Sequence, residues 1–143
     1  MKVLVDTCIW SLALRREKQL DSSIEIIEFQ ELIKEVRVQV IGPIRQEILS
    51  GVKKKSQFTK LKKILAAFPD LGLTSEDFEL SAEYFNFLRS KGIQGSNTDF
   101  LICAISTRHN MPIFTTDKDF TFFKKYIPIN LHAPRLTMNP ILK

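Results

Sequence analysis

The 143-residue chain carries only two cysteines, two histidines and one tryptophan. Two thiols, Cys8 and Cys103, cannot build a disulfide framework, and no CxxC or Cys/His spacing suggests zinc. They read as small buried hydrophobes. His109 and His132 have no Ser/Asp pattern around them, so a hydrolytic triad has no support. The five glycines form neither a GxGxxG fingerprint nor a P-loop, so a dinucleotide or nucleotide-phosphate cradle has no support. The uncharged run from Cys8 to Leu14 is far too short for a bilayer, and the first residues lack a signal-peptide cleavage pattern. A soluble cytoplasmic protein without membrane contact is expected. There is no repeat and no low-complexity tract.

What the chain does have is an ordinary globular balance, 44% hydrophobic and 26% charged, which predicts one domain. Twenty-one Lys+Arg against 16 Asp+Glu give a net charge of +5 and a pI near 9.3. Six lysines crowd between Val52 and Lys63 without an acid: Lys53, Lys54, Lys55, Lys60, Lys62 and Lys63. Such a run is either a solvated helix face or a surface for an anionic partner. The eleven phenylalanines fall mostly on apolar stripes and read as core, as does Trp10, though base stacking is a second use for it.

Strand and helix signals alternate. Val3-Leu4-Val5 is a buried strand ending at Asp6, and Thr7 is placed to cap a helix reaching Arg15. Ile24, Ile27, Ile33 and Val36 predict a helical stripe. Residues 36–41 alternate as a strand, and Pro43 opens a helix through Glu47. Phe58, Leu61, Leu65 and Phe68 mark an amphipathic helix. Thr74 to Asp77 caps the next, and Ser96-Asn97-Thr98-Asp99 opens another running to about His109. Ile113–Thr116 predicts a strand, residues 117–125 a turn or short helix, and Ile127–Leu131 a last strand. The pattern is α/β: a mostly parallel central sheet flanked by helices on both faces.

In such sheets ligands bind at the carboxyl ends of the strands. Asp6 and Asp117 fall there directly, while Glu47 and Asp99 lie in early helical turns at the same edge. Two carboxylates ~6 Å apart repel by about 3 kcal/mol at an effective dielectric near 20. Four together need a cation or protons. Oxygen-only ligands select Mg²⁺ or Mn²⁺, and a bound divalent ion activates water against a phosphoryl group. Each acid also has a structural reading. Asp99 closes a capping box with Ser96, Asp119 stands in the same relation to Thr116, and Glu47 could face solvent.

Four segments in order, Val3-Leu4-Val5-Asp6-Thr7, Arg45-Gln46-Glu47-Ile48, Asn97 to Ala104 and Phe114 to Phe120, resemble the PIN domain, and the length and layout resemble its VapC-type toxins. The resemblance runs from Met1 to about Leu131, giving a PIN domain over 1–131 and a C-terminal tail over 132–143. It implies a PIN-like three-layer sandwich and a Mg²⁺- or Mn²⁺-dependent endoribonuclease that hydrolyses RNA phosphodiesters by metal-activated water. Asp6, Glu47, Asp99 and Asp117 match its catalytic metal-site acids, and Asp119 a further acid. Thr7, Asn97 and Thr116 match supporting polar positions. Lys53, Lys54, Lys55, Lys60, Lys62 and Lys63 would then contact the RNA, whether tRNA, rRNA or mRNA. A protein antitoxin and a homodimer are the implied partners.

Two other readings remain at this level. One is a PIN nuclease for RNA processing with no antitoxin. The other is a non-catalytic nucleic-acid-binding module, whose binding would depend on salt and not on metal. A phosphoacceptor domain would need adjacent acids after the first strand, and Thr7-Cys8 follow Asp6 instead.

Overall fold

The structure, a computed structural model, describes residues 1–15 and 23–135. Three short parallel strands form its sheet: β1 (Val3–Val5), β2 (Val38–Gln39) and β3 (Ile113–Phe114), in the order β2-β1-β3. Among the described residues seven helices flank it: α1 (Thr7–Arg15), α2 (Ile24–Lys34), α3 (Gly42–Leu49), α4 (Lys55–Leu65), α5 (Ser75–Ser90), α6 (Asn97–His109) and α7 (Asp119–Phe123). The expected α/β class and parallel sheet are what the fold shows. No helix among the described residues is long and apolar enough to cross a membrane.

Strand β1 is wholly buried, as the central strand of a covered parallel sheet must be. The chain leaves it toward β2 on one side and later returns to β3 on the other. The two excursions part at the carboxyl end of β1, and Asp6 is the residue that stands there. Its amide continues the ladder by donating to Phe114 O at 3.0 Å.

Helix α6 carries the core on the β3 side. Phe100 through Ser106 are buried without a break, so the helix is covered all round rather than amphipathic. It packs extensively against α5. On the other side Trp10 is buried and meets Phe29 and Phe68 edge-on, with ring centroids 4.9 and 5.1 Å apart. Trp10 is therefore core and offers no stacking face.

Several local expectations are corrected. Thr7 is the first residue of α1 and does not cap it; its hydroxyl is spent on Glu47. In α2 the buried face is Ile26, Glu28, Phe29 and Leu32, while Ile24, Ile27 and Ile33 are exposed. Buried Glu28 is satisfied by His132 and Arg135, which also pairs with Glu35. The first residues after 131 thus pack onto α2; residues 136–143 of the expected tail lie outside the described residues.

Val36 does not begin a strand. It has φ 57° and closes the turn after α2, its amide donating to Ile33 O at 3.0 Å. Residues 127–131 form no full strand either: Leu131 makes one parallel bridge to Ile113. Phe58, Phe78, Phe87 and Phe122 are exposed, so the phenylalanines are not all core.

Candidate active site

The expected acids meet at the carboxyl edge of the sheet. Asp6 is 8% exposed. Its Oδ1 accepts the Thr7 amide at 2.7 Å and its Oδ2 accepts the Thr115 hydroxyl at 2.9 Å. Glu47, an exposed side chain on α3, accepts the Thr7 hydroxyl on Oε1 at 2.6 Å. Thr7 therefore spans Asp6 and Glu47, with its amide on one and its hydroxyl on the other. A helix beginning directly after β1 makes this possible, because it aims both groups of Thr7 along the sheet edge.

Asp99 enters from the first turn of α6. Ser96 and Asp99 form the reciprocal capping box: the Ser96 amide reaches Asp99 Oδ2 at 3.1 Å, and the Asp99 amide reaches Ser96 Oγ at 3.0 Å. The structural reading of Asp99 is thus correct as far as it goes. It occupies Oδ2 alone, and among the described residues no hydrogen bond reaches Oδ1. On the loop after β3, Asp117 receives the Asp119 amide at 2.9 Å, and its own amide donates to Thr115 Oγ1 at 3.0 Å. Asp119 is exposed, and Thr116 does not cap it.

The electrostatics tie these groups together. Burial pushes the Asp6 carboxyl above its ordinary range; the Thr115 hydroxyl and Thr7 amide oppose this, and the charges of Asp99 and Glu47 add to it. Asp99 is also raised, first by burial and then by Asp117 and Asp119, against the pull of Ser96. Burial, followed by Asp99 and Asp6, pushes the Cys103 thiol up beneath the cluster. Elsewhere Glu28, Glu35, Asp70 and Asp77 each have an arginine. Among the described residues none of the five acids at the sheet edge has a cationic partner.

Two residues overlooked from sequence belong here. Thr115 joins Asp6 to the Asp117 loop, and Cys8 is not a mere hydrophobe. The Cys8 sulfur lies 3.3 Å from Thr115 Oγ1 and 3.8 Å from Asp6 Oδ2, and it accepts from the Thr116 amide at 3.3 Å. The one legible hint was a hydroxyl residue between a strand end and an acid. Thr116 itself meets Cys8 Sγ and, among the described residues, hydrogen-bonds to no carboxylate. Asn97 is exposed and makes no hydrogen bond to the acids among the described residues. The six lysines are all exposed, on α4 and the turn before it.

Among the described residues no three His, Cys, Asp or Glu side chains are drawn together as a finished metal cage. The carboxylates are instead held by hydroxyls and backbone amides. Five carboxylates without a cationic partner among the described residues are nevertheless oxygen donors of the type that suits a hard cation.

Comparison with known proteins agrees with this arrangement. The PIN domain family profile matches residues 3–126. Ribonuclease VapC11 of Mycobacterium tuberculosis is 31% identical over 122 residues, covering 82% of this chain and 88% of the relative. The VapC ribonuclease Mb1587 of Mycobacterium bovis aligns to the same extent. Among solved structures, VapBC2 from Rickettsia felis bound to a promoter DNA fragment superposes with a TM-score of 0.73 at 22% identity, covering 92% of this chain and 98% of that one. FitAcB from Neisseria gonorrhoeae gives 0.73 at 18% identity, covering 92% and 97%. Profile, relatives and fold agree: the chain belongs to the PIN-domain family, among the VapC-type proteins.

Proposed function

We propose that the chain is a Mg²⁺- or Mn²⁺-dependent endoribonuclease acting as the toxin of a toxin–antitoxin pair. The observation that carries this reading is the set of carboxylates, Asp6, Glu47, Asp99, Asp117 and Asp119, that have no cationic partner among the described residues at one sheet edge of a basic protein. The 31% identity to proteins named as ribonucleases supports the substrate class.

Asp6, Glu47, Asp99 and Asp117 would hold the divalent ion, with Asp119 as a further ligand. When bound, such an ion lowers the pKa of its water and neutralises charge developing on a phosphate. The chain's residues do the remaining work. Thr7 and Thr115 fix the two oxygens of Asp6, and Ser96 fixes one oxygen of Asp99, the other accepting no hydrogen bond among the described residues. The exposed lysines of α4 and the preceding turn would bind the phosphodiester backbone. Hydrolysis leaves a 5′-phosphate and a 3′-hydroxyl.

A protein antitoxin is the proposed inhibitor, supported by the structural neighbours solved as complexes of that kind, such as VapBC2. Phe78 of α5, exposed beside an apolar cleft lined by Phe85 and Leu101, supports a second copy of the chain as a further partner.

The test is cleavage of tRNA, rRNA and mRNA fragments with Mg²⁺ or Mn²⁺, with EDTA and Asp99→Asn beside it. Discrete 5′-phosphorylated fragments that vanish in both controls are expected. Salt-sensitive RNA binding without cleavage under any metal would instead establish a binding module.

A further inference from the structure

Exposed phenylalanines scattered singly need no explanation, but Phe122 is not isolated. It is 48% exposed on α7. With Gly92, Ile93, Gln94, Phe123 and Asp119 it lines a cleft of about 230 Å³. Asp119 also belongs to the acid cluster, where its amide binds Asp117 Oδ1. The cleft therefore opens directly beside the site where a phosphodiester would be cut.

The chemistry of its walls is selective. Lys125 Nζ stands over the Phe122 ring, 5.2 Å from its centroid, and Lys118 is exposed on the same short segment. A polyanion is attracted to this rim, yet Asp119 and the two rings make the cleft itself unfit for a phosphate. A flat, uncharged group with a π-face suits it. The opposite wall is preformed: Gly92 has φ +78°, and a Cβ on Gly95 would stand 2.9 Å from Phe100 Cζ and from Phe123 Cζ. The loop is thus pressed onto the core, and a ligand would not need to order it.

We propose that this cleft is a nucleobase subsite, in which an unpaired base flanking the scissile phosphate of a single-stranded RNA stacks on Phe122 while Gln94 faces its edge. The proposal rests on the ribonuclease reading. Stacking on an aromatic side chain tolerates every base, because all have a π-face. The subsite accordingly demands an unpaired nucleotide at a fixed distance from the cut without dictating its identity. Base-paired RNA, whose bases are already stacked, is excluded from it.

The experiment measures kcat and KM of the full chain on a single-stranded oligoribonucleotide with Mn²⁺. Phe122→Ala is expected to raise KM about ten- to a hundredfold, the loss of one stacked base, while Phe122→Trp restores it. Phe87→Ala, equally exposed but outside the cleft, is expected to change neither constant. Deleting one base at a time from the substrate should reveal one position whose loss weakens the wild type and has no further effect on Phe122→Ala. An unchanged KM in Phe122→Ala overturns the subsite, as it would if the cleft instead receives a side chain of a protein partner. A fall in kcat matched by a fall in melting temperature also overturns it, marking Phe122 as structural. A wild type that cleaves no RNA removes the ribonuclease reading and the subsite together, a result distinct from the other two.

Discussion

The Thr115 hydroxyl donates to Asp6 Oδ2 at 2.9 Å across 109 positions of sequence. Its oxygen also accepts the Asp117 amide at 3.0 Å, so one side chain sets the distance between the acids that follow β1 and β3. Thr115→Val keeps the shape and removes the hydroxyl. The expected result is a kcat about ten- to a hundredfold lower, with the acid limb of the pH–rate profile moved upward, because Asp6 loses the hydrogen bond that favours its ionised form. Thr115→Ser should restore both. A Val variant with an unmoved acid limb would show that Thr115 only packs.

The acids were legible in the sequence because each sits where a strand ends or a helix begins, and such ends are fixed by local signals. Thr115 was not, since its role exists only once β1 and β3 lie side by side. The same limit explains α2. Its sequence IEIIEFQELIK offers two apolar stripes, and local periodicity favours Ile24, Ile27 and Ile33. The inner face is instead Ile26, Phe29 and Leu32, and it also buries Glu28, which is tolerated there because His132 and Arg135 arrive from the far end of the chain to pair with it. No window around α2 contains that information.

The raised Asp6 and Asp99 carboxyls make stability depend on pH in a definite sense. A carboxyl raised in the folded state contributes stability that is full below its unfolded pKa, about 3.9, and is lost as pH rises through the folded value. The share of the apo protein's stability that these two carboxyls supply is therefore expected to be larger near pH 4 than at pH 7, where both are ionised. Asp6→Asn and Asp99→Asn should flatten this slope and raise the melting temperature at pH 7, while abolishing cleavage. Mg²⁺ or Mn²⁺ should raise the wild-type melting temperature at pH 7 and do so much less in either variant. A lower melting temperature at pH 7 in both variants would mark these acids as structural.

Asp77 sets the opposite limb. It is fully buried at the start of α5, where it accepts the Thr74 amide at 2.9 Å, Arg108 Nη1 at 2.6 Å and His109 Nε2 at 3.2 Å. Burial pushes its carboxyl up, but the Thr74 amide, Arg108 and His109 together outweigh burial and hold it below the ordinary range. Its stabilisation is present above about pH 3.9 and is lost as pH falls through the lower folded value. Asp77→Ala is expected to cost about 2–3 kcal/mol, from a broken capping box and charge-assisted hydrogen bonds. Urea melts at pH 7 and pH 3 check this: the variant and wild type should differ at pH 7 and converge on acidification.

Val36 and Asn110 close two helices in the same left-handed conformation, at φ 57° and 54°. Asparagine tolerates that region, whereas a β-branched residue there is strained by about 1–2 kcal/mol. The Val36 side chain is 74% exposed, so removing it sacrifices almost no packing. Val36→Gly relieves the strain, and the added freedom of the unfolded chain returns about 0.5–1 kcal/mol of that gain. A net stabilisation of about 0.5–1 kcal/mol is expected, near 2–4 °C in melting temperature. Asn110→Gly should change it far less, because its strain is already small. Equal shifts in the two variants would mean that the valine turn is not strained, and a destabilised Val36→Gly would mean that its side chain packs against something in solution.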